Sequence, residues 1–253
     1  GTRIDFSGDE PAFNGVVYNE MKGATASLGA KITNELERLL FPAGPYGYIS
    51  GGDPAAIPSL TYEAFLEAYR TFYHPSNSVF YLDGAVPIKT VLGMIDGYLS
   101  FYERSDKTHK IPLQPPVRNA AATVPYEIGA AESPDRKTCI ALAKPAGLDT
   151  DRTLMYALRM LQSYLFGSND APLKRAVLAT GLAEDVSFRV YSGIYQPYTV
   201  LLLRNTEEAH KETLLSALRA AARQVLADGI DPGDLAAEID ALEPNLKDRD
   251  EPQ

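Results

Sequence analysis

A single cysteine, Cys139, stands among the 253 residues, so no internal disulfide and no cysteine-built zinc site is available. That usage favours a reducing compartment. Basic runs are missing too. The 24 Lys and Arg against 33 Asp and Glu leave a formal charge of −9, and nothing in that balance neutralises a phosphate backbone. Nucleic acid is therefore not expected as a partner. No apolar stretch approaches the roughly 20 residues that span a bilayer, and no charged-then-apolar leader opens the chain, so no membrane partner is expected either. The glycine-rich phosphate loop, the dinucleotide fingerprint and the Gly-x-Ser-x-Gly elbow are all absent, which removes the common nucleotide and serine-hydrolase readings. His74, His109 and His210 are scattered without ligand spacing to each other or to a carboxylate, so they build no local metal site. His109 and His210 read as solvated side chains.

What remains is ordinary globular usage, 45% hydrophobic and 23% charged, enough for one large domain or two modest ones. The chain starts at Gly1 rather than Met and reads as an excised piece of something longer. The run Asn14 to Lys22 predicts a short helix capped by Asn14, with Val16 and Glu20 on one face. Leu28, Ile32, Leu36, Leu39 and Leu40 keep a helical period up to Pro42. After the Gly51-Gly-Asp-Pro54 loop, Thr61 caps a helix whose Phe65, Tyr69, Phe72 and Tyr73 form an aromatic stripe, read as core rather than as a stacking platform. Ser78 to Gly84 predicts a strand, and Pro87 starts a helix running to Leu99. Ser105 to Arg118 is charged, proline-bearing and without periodicity, as a domain linker is.

The second half predicts strands at Ala122 to Ile128 and Lys137 to Ala143, helices from Asp149 to Phe166 and Pro172 to Thr180, and an antiparallel pair through Val186 to Val190 and Tyr198 to Leu202. A helix from Glu207 to Asp228 and one begun by Asp231-Pro232 follow, the latter damaged by Pro244, with a disordered tail from Lys247. Strands in pairs with helices between them argue an α+β fold, a sheet covered on one face by helices.

A family resemblance lies in the order of several weak motifs. Asn14-Gly-Val-Val-Tyr-Asn-Glu-Met-Lys-Gly23, Leu40-Phe-Pro, Ser50-Gly-Gly-Asp-Pro54, Ile57-Pro-x-Leu60-Thr61, Phe72-Tyr-His-Pro-Ser-Asn77 and Leu173-x-x-Ala176-x-x-x-x-Gly181-Leu-x-Glu-Asp185 succeed one another along nearly the whole chain. Together they strongly resemble the presequence protease branch of the pitrilysin and insulin-degrading zinc metallopeptidase superfamily. The resemblance implies two antiparallel-rich domains covered by helices: residues 1–104 as the later part of the first, catalytic-type domain, 105–118 as linker, and 119–253 as the second. It implies zinc held by two histidines of a His-x-x-Glu-His helix and by a distal glutamate, whose position matches Glu20.

The His-x-x-Glu-His segment is not in this sequence and by the resemblance lies before Gly1, as does the edge strand that receives substrate peptide. The resemblance therefore implies an inactive piece of a zinc metalloendopeptidase that degrades short unstructured peptides. Its partners would be those peptides and the remaining domains of the same polypeptide, in a bacterial-type cytoplasm or an organellar matrix. Zinc is expected in the parent and not in this chain alone. With part of its packing missing, the region 1–103 is expected to self-associate or to be locally disordered. The rival readings are a non-catalytic scaffold or processing-partner subunit of the same fold, and a peptide-binding module.

Overall fold

Two short strands open the computed structural model, which describes residues 2–6, 8, 10–106 and 109–247, with side chains as far as 241. These are β1 (Arg3–Asp5) and β2 (Ala12–Asn14), antiparallel with Ile4 opposite Phe13. Helix α1 (Val16–Ala24) follows at once. Gly15, not Asn14, occupies its cap position and no side chain caps it. Asn14 ends β2 instead, donating to Asp5 and accepting from Asn19 at 2.9 Å. Helix α2 (Leu28–Leu40) begins where Ser27 Oγ accepts the N–H of Ala30 and stops before Pro42, which has no N–H to continue it. One-turn helices at Pro45–Gly47 and Ile57–Ser59 bracket the Gly-Gly-Asp-Pro loop. Thr61 Oγ1 caps α3 (Tyr62–Phe72) through the N–H of Ala64, and α4 spans Ile88–Leu99.

The predicted strand at 78–84 forms no ladder among the described residues. Strand composition is present, but a strand exists only where a neighbour takes its backbone hydrogen bonds. The aromatic stripe is not core either: Phe65, Tyr69, Phe72 and Tyr73 are all exposed, and no described helix before residue 100 buries a side chain completely.

The second half is built around a sheet. Strands β3 (Thr138–Pro145), β4 (Asp185–Tyr191) and β5 (Tyr198–Thr206) are antiparallel in the order β3-β5-β4. Helices α5 (Arg152–Phe166, capped by Asp151) and α6 (Pro172–Leu178) lie between β3 and β4 in sequence. Helices α7 (Lys211–Asp228) and α8 (Pro232–Lys247) close the chain. The last helix runs on through Pro244, and most of the predicted tail, 248–253, lies outside the described residues. Among the described residues Ala122 to Ile128 forms no strand; Tyr126 is tied by its hydroxyl to the carbonyl of Lys137, and Glu127 pairs with Lys31 at 2.6 Å.

Register sorts the residues onto two faces. Val186 faces Leu203 and Phe188 faces Leu201, and this side meets Phe166, Leu173, Val177, Leu214 and Leu218 in the core. The other side carries Tyr191 opposite Tyr198, their rings stacked at 4.7 Å. It is not bare, as a sheet covered on one face would be. Phe41 packs edge-on to Tyr198 at 5.8 Å, and the Tyr198 hydroxyl donates to Glu37 at 2.7 Å. Between Thr138 and Ile140 the register with β5 slips, so Arg204 and Asn205 oppose Cys139 alone. Asn205 absorbs this bulge at φ 51 and donates to Glu184.

The described residues fall into two compact units. Unit 1 comprises residues 1–30 and 43–112; unit 2 comprises 31–42 and 113–253. Residues 31–42, assigned by sequence to the first domain, group with unit 2 because they supply Glu37 and Phe41 to its sheet.

Candidate functional site

Glu20 sits in the second turn of α1, one helical turn after Val16, and both are exposed. The helix is fixed at both ends. Asn14 and Asn19 join its start to β2, and Thr25 Oγ1 donates to the Met21 carbonyl at 2.8 Å at its end. Its flank is fixed by the Gly-Gly-Asp-Pro loop. The Met21 thioether occupies the space where a Cβ on Gly51 would stand, and Gly52 takes φ +105 beside Ile57. Glycine is needed at 52 for that backbone conformation. Two of the sequence motifs, Asn-Glu-Met-Lys and Gly-Gly-Asp-Pro, are thus one packing contact, and Glu20 projects from it.

Among the described residues no group of three His, Cys, Asp or Glu side chains converges to hold a metal ion. Zinc requires three protein donors in a catalytic site and four in a structural one. Glu20 alone does not fit that requirement.

The histidines are better placed than scattered sequence positions suggest. Unit 1 has a cleft of about 240 Å³ lined by residues of α3, His74 and the 75–77 turn, Ser105 and His109. His74 and His109 both reach it. His74 Nδ1 accepts the N–H of Ser76 at 3.2 Å, and Ser76 Oγ accepts the N–H of Ser105 at 3.0 Å. Nδ1 of the imidazole therefore accepts from a backbone donor rather than from a hydroxyl. His109 is exposed as expected, and its ring lies 5.0 Å from that of Phe72. His210 departs from the solvated reading, since its Nδ1 is buried with no hydrogen-bond partner.

In unit 2 a second cleft, about 330 Å³, is lined by Asp135, Arg136, Lys137, Glu184 and Asn205. Several of its polar groups have partners. Lys137 pairs with Glu132 at 2.7 Å, which lowers that carboxyl and raises the ammonium, while Arg136 donates to the Gly181 carbonyl.

Residues 59–242 match the family described as the peptidase M16 inactive domain. The chain belongs to that family. The M16 resemblance read from the ordered motifs holds on independent grounds. The HypA protein of Clostridium perfringens is 31% identical over 249 residues, 98% of this chain and 26% of that protein. The mitochondrial presequence protease of Xenopus laevis is 27% identical over 93% of this chain and 23% of its own length. The M16 chain thus spans about a quarter of these relatives. A solved peptidase M16 inactive domain from Pseudomonas fluorescens superposes with a TM-score of 0.62 at 21% identity, covering 90% of this chain and 53% of that one. At that identity the likeness shows the fold alone, and the fold is the expected α+β arrangement of M16 domains. Among the described residues no helix is long and apolar enough to cross a membrane.

Proposed function

We propose that this chain is part of a zinc metalloendopeptidase that degrades short unstructured peptides, with most of the catalytic site supplied by other segments of the same polypeptide. The observation that carries the reading is the collinear match to proteins about four times as long, the presequence protease of Xenopus laevis among them, with Glu20 standing in the intact Asn-Glu-Met-Lys run of α1. Glu20 is then one metal ligand of the parent. The remaining ligands and the general base come from outside this chain. Residues 1–104 are the later part of the first metallopeptidase domain, 105–118 the linker, and 119–253 the second domain. The family match, residues 59–242, runs across this proposed linker, and one of the boundaries between the compact units falls within it at 112/113, with residues 31–42 grouped in the second unit.

The lone cysteine supports a reducing setting, a bacterial-type cytoplasm or an organellar matrix. The reading frame upstream of Gly1 tests the assignment most cheaply. A His-x-x-Glu-His some tens of residues before Glu20 supports the peptidase; an open frame through that region without it favours a non-catalytic scaffold of the same fold.

A further inference from the structure

The turn between β4 and β5 is tied down along its length. Arg159 donates to Ser192 Oγ at 2.8 Å, the N–H of Gly193 donates to Asp149 Oδ1 at 2.9 Å, and the N–H of Ala146 donates to the Pro197 carbonyl at 2.7 Å. Gln196 lies between these anchors in sequence, a polar side chain 8% exposed, next to the fully buried Pro197. Its amide reaches a residue 82 positions away. Oε1 accepts the backbone N–H of Gln114 at 2.7 Å, and Nε2 donates to the Gln114 carbonyl at 3.0 Å. The two bonds fix the orientation of the amide, because a flipped one would set oxygen against oxygen. The N–H and C=O of one residue engaged together is what a neighbouring antiparallel strand provides, and here a side chain provides it.

The segment that Gln196 holds is one that cannot join a sheet by itself. Pro112, Pro115 and Pro116 have no N–H, so within 112–116 Leu113 and Gln114 carry the donors. The fixed φ of the prolines stiffens the same stretch, so a hold at 114 extends to its neighbours. We propose that Gln196 is a latch that makes residues 113–116 a strap on unit 2, so that they belong to the second domain and not to the linker assigned over 105–118. A net hydrogen bond is worth a factor of roughly 2–12, so two of them hold the strap closed by roughly 5- to 150-fold. That is enough to keep it docked, and little enough that it opens without unfolding the sheet. Gln114 and Gln196 both lie in unit 2, and the latch does not depend on the zinc reading.

Hydrogen exchange on the full chain, read at single amides, tests the latch, with limited trypsin cleavage after Arg118 as a second measurement. In the wild type the Gln114 amide should exchange at least about fivefold more slowly than the Leu113 amide, each corrected for its intrinsic rate. Gln196→Ala should erase that difference and raise cleavage after Arg118 several-fold, while the amides of β5 exchange unchanged. Gln196→Glu keeps an acceptor and loses the donor, so it should fall between the two. Gln114→Pro removes the N–H from the other side of the contact and should raise cleavage in the same way. Gln114→Ala keeps both backbone groups and should not. Equal exchange at 113 and 114 in the wild type overturns the proposal, and so does cleavage after Arg118 that ignores both Gln196→Ala and Gln114→Pro. If Gln196→Ala also loosens β5, Gln114→Pro decides, since it leaves the turn untouched.

Discussion

The phenolic hydroxyl of Tyr198 donates to Glu37 Oε1 at 2.7 Å, joining residues 161 positions apart. Tyr198 is 1% exposed, with Tyr191 stacked on one side of its ring and Phe41 edge-on to it. The contact is what makes the later turns of α2 part of unit 2. Tyr198→Phe leaves the half-buried Glu37 carboxylate without this donor and should cost about 1–3 kcal/mol. Glu37→Gln keeps an acceptor oxygen and should cost less. Denaturant unfolding of both single variants and the double variant gives the coupling; additive losses would show that the hydrogen bond contributes nothing.

The same contact predicts a pH dependence. Burial, and then the hydrogen bond to Glu37, raise the Tyr198 phenol well above its ordinary value. The native state therefore keeps a proton that the unfolded chain releases near the ordinary tyrosine pKa of about 10. The stabilisation is fully present below that pH and is lost as pH rises above it, at up to about 1.4 kcal/mol per pH unit. Unfolding free energies of wild type and Tyr198→Phe should converge between about pH 10 and 11.5. A constant gap would contradict this.

Core substitutions should separate the two units. Leu214 is fully buried on α7 against the sheet, and Leu214→Ala should cost about 2–5 kcal/mol. Phe65 is the first member of the exposed stripe on α3, so Phe65→Ala should change stability by no more than about 0.5 kcal/mol. Thermal or denaturant unfolding measures both, and comparable losses at the two sites would mean that the stripe is covered.

The bulge in β5 makes a side-chain-specific prediction at Asn205. Its φ of 51 suits Asn and Gly but not a β-branched residue. Asn205→Val should destabilise by about 1–2 kcal/mol, with Asn205→Gly milder because it loses only the hydrogen bond to Glu184. The reverse order in unfolding experiments would show that the backbone at 205 is not left-handed.

The chain by itself should retain no stoichiometric zinc after dialysis and should not hydrolyse a quenched fluorescent peptide, since one carboxylate provides neither the coordination nor the general base. Elemental analysis and the peptide assay check this directly, and tight zinc with turnover would refute the incomplete-site reading.

Much of the helical framework was legible because its signals are local. Thr61 caps the helix it was expected to begin, the helix expected from Asp149 starts at Arg152 with Asp151 as its cap, and the alternation of Val186, Phe188 and Val190 matches a real strand. Errors came where structure depends on distant partners. Among the described residues Ser78 to Gly84 and Ala122 to Ile128 have strand composition but no ladder, and the Phe65 to Tyr73 stripe has helical period but is exposed. Nothing local in Glu37 or Phe41 announces that α2 will cover the second face of a sheet begun a hundred residues later. Asn14 had cap chemistry, yet pairing with β1 placed it in a strand. Glu20 could not be singled out by geometry at all, since an exposed helical carboxylate is common. Only the order of the motifs distinguished it.

The most direct measurement is zinc content and peptide turnover of the whole gene product, wild type beside Glu20→Gln. A neutral amide is a poorer ligand than a carboxylate. The account predicts about one zinc per wild-type chain with measurable turnover, and in Glu20→Gln the loss of most zinc and most activity with an unchanged circular dichroism spectrum. Unchanged zinc and unchanged turnover in that variant would contradict it.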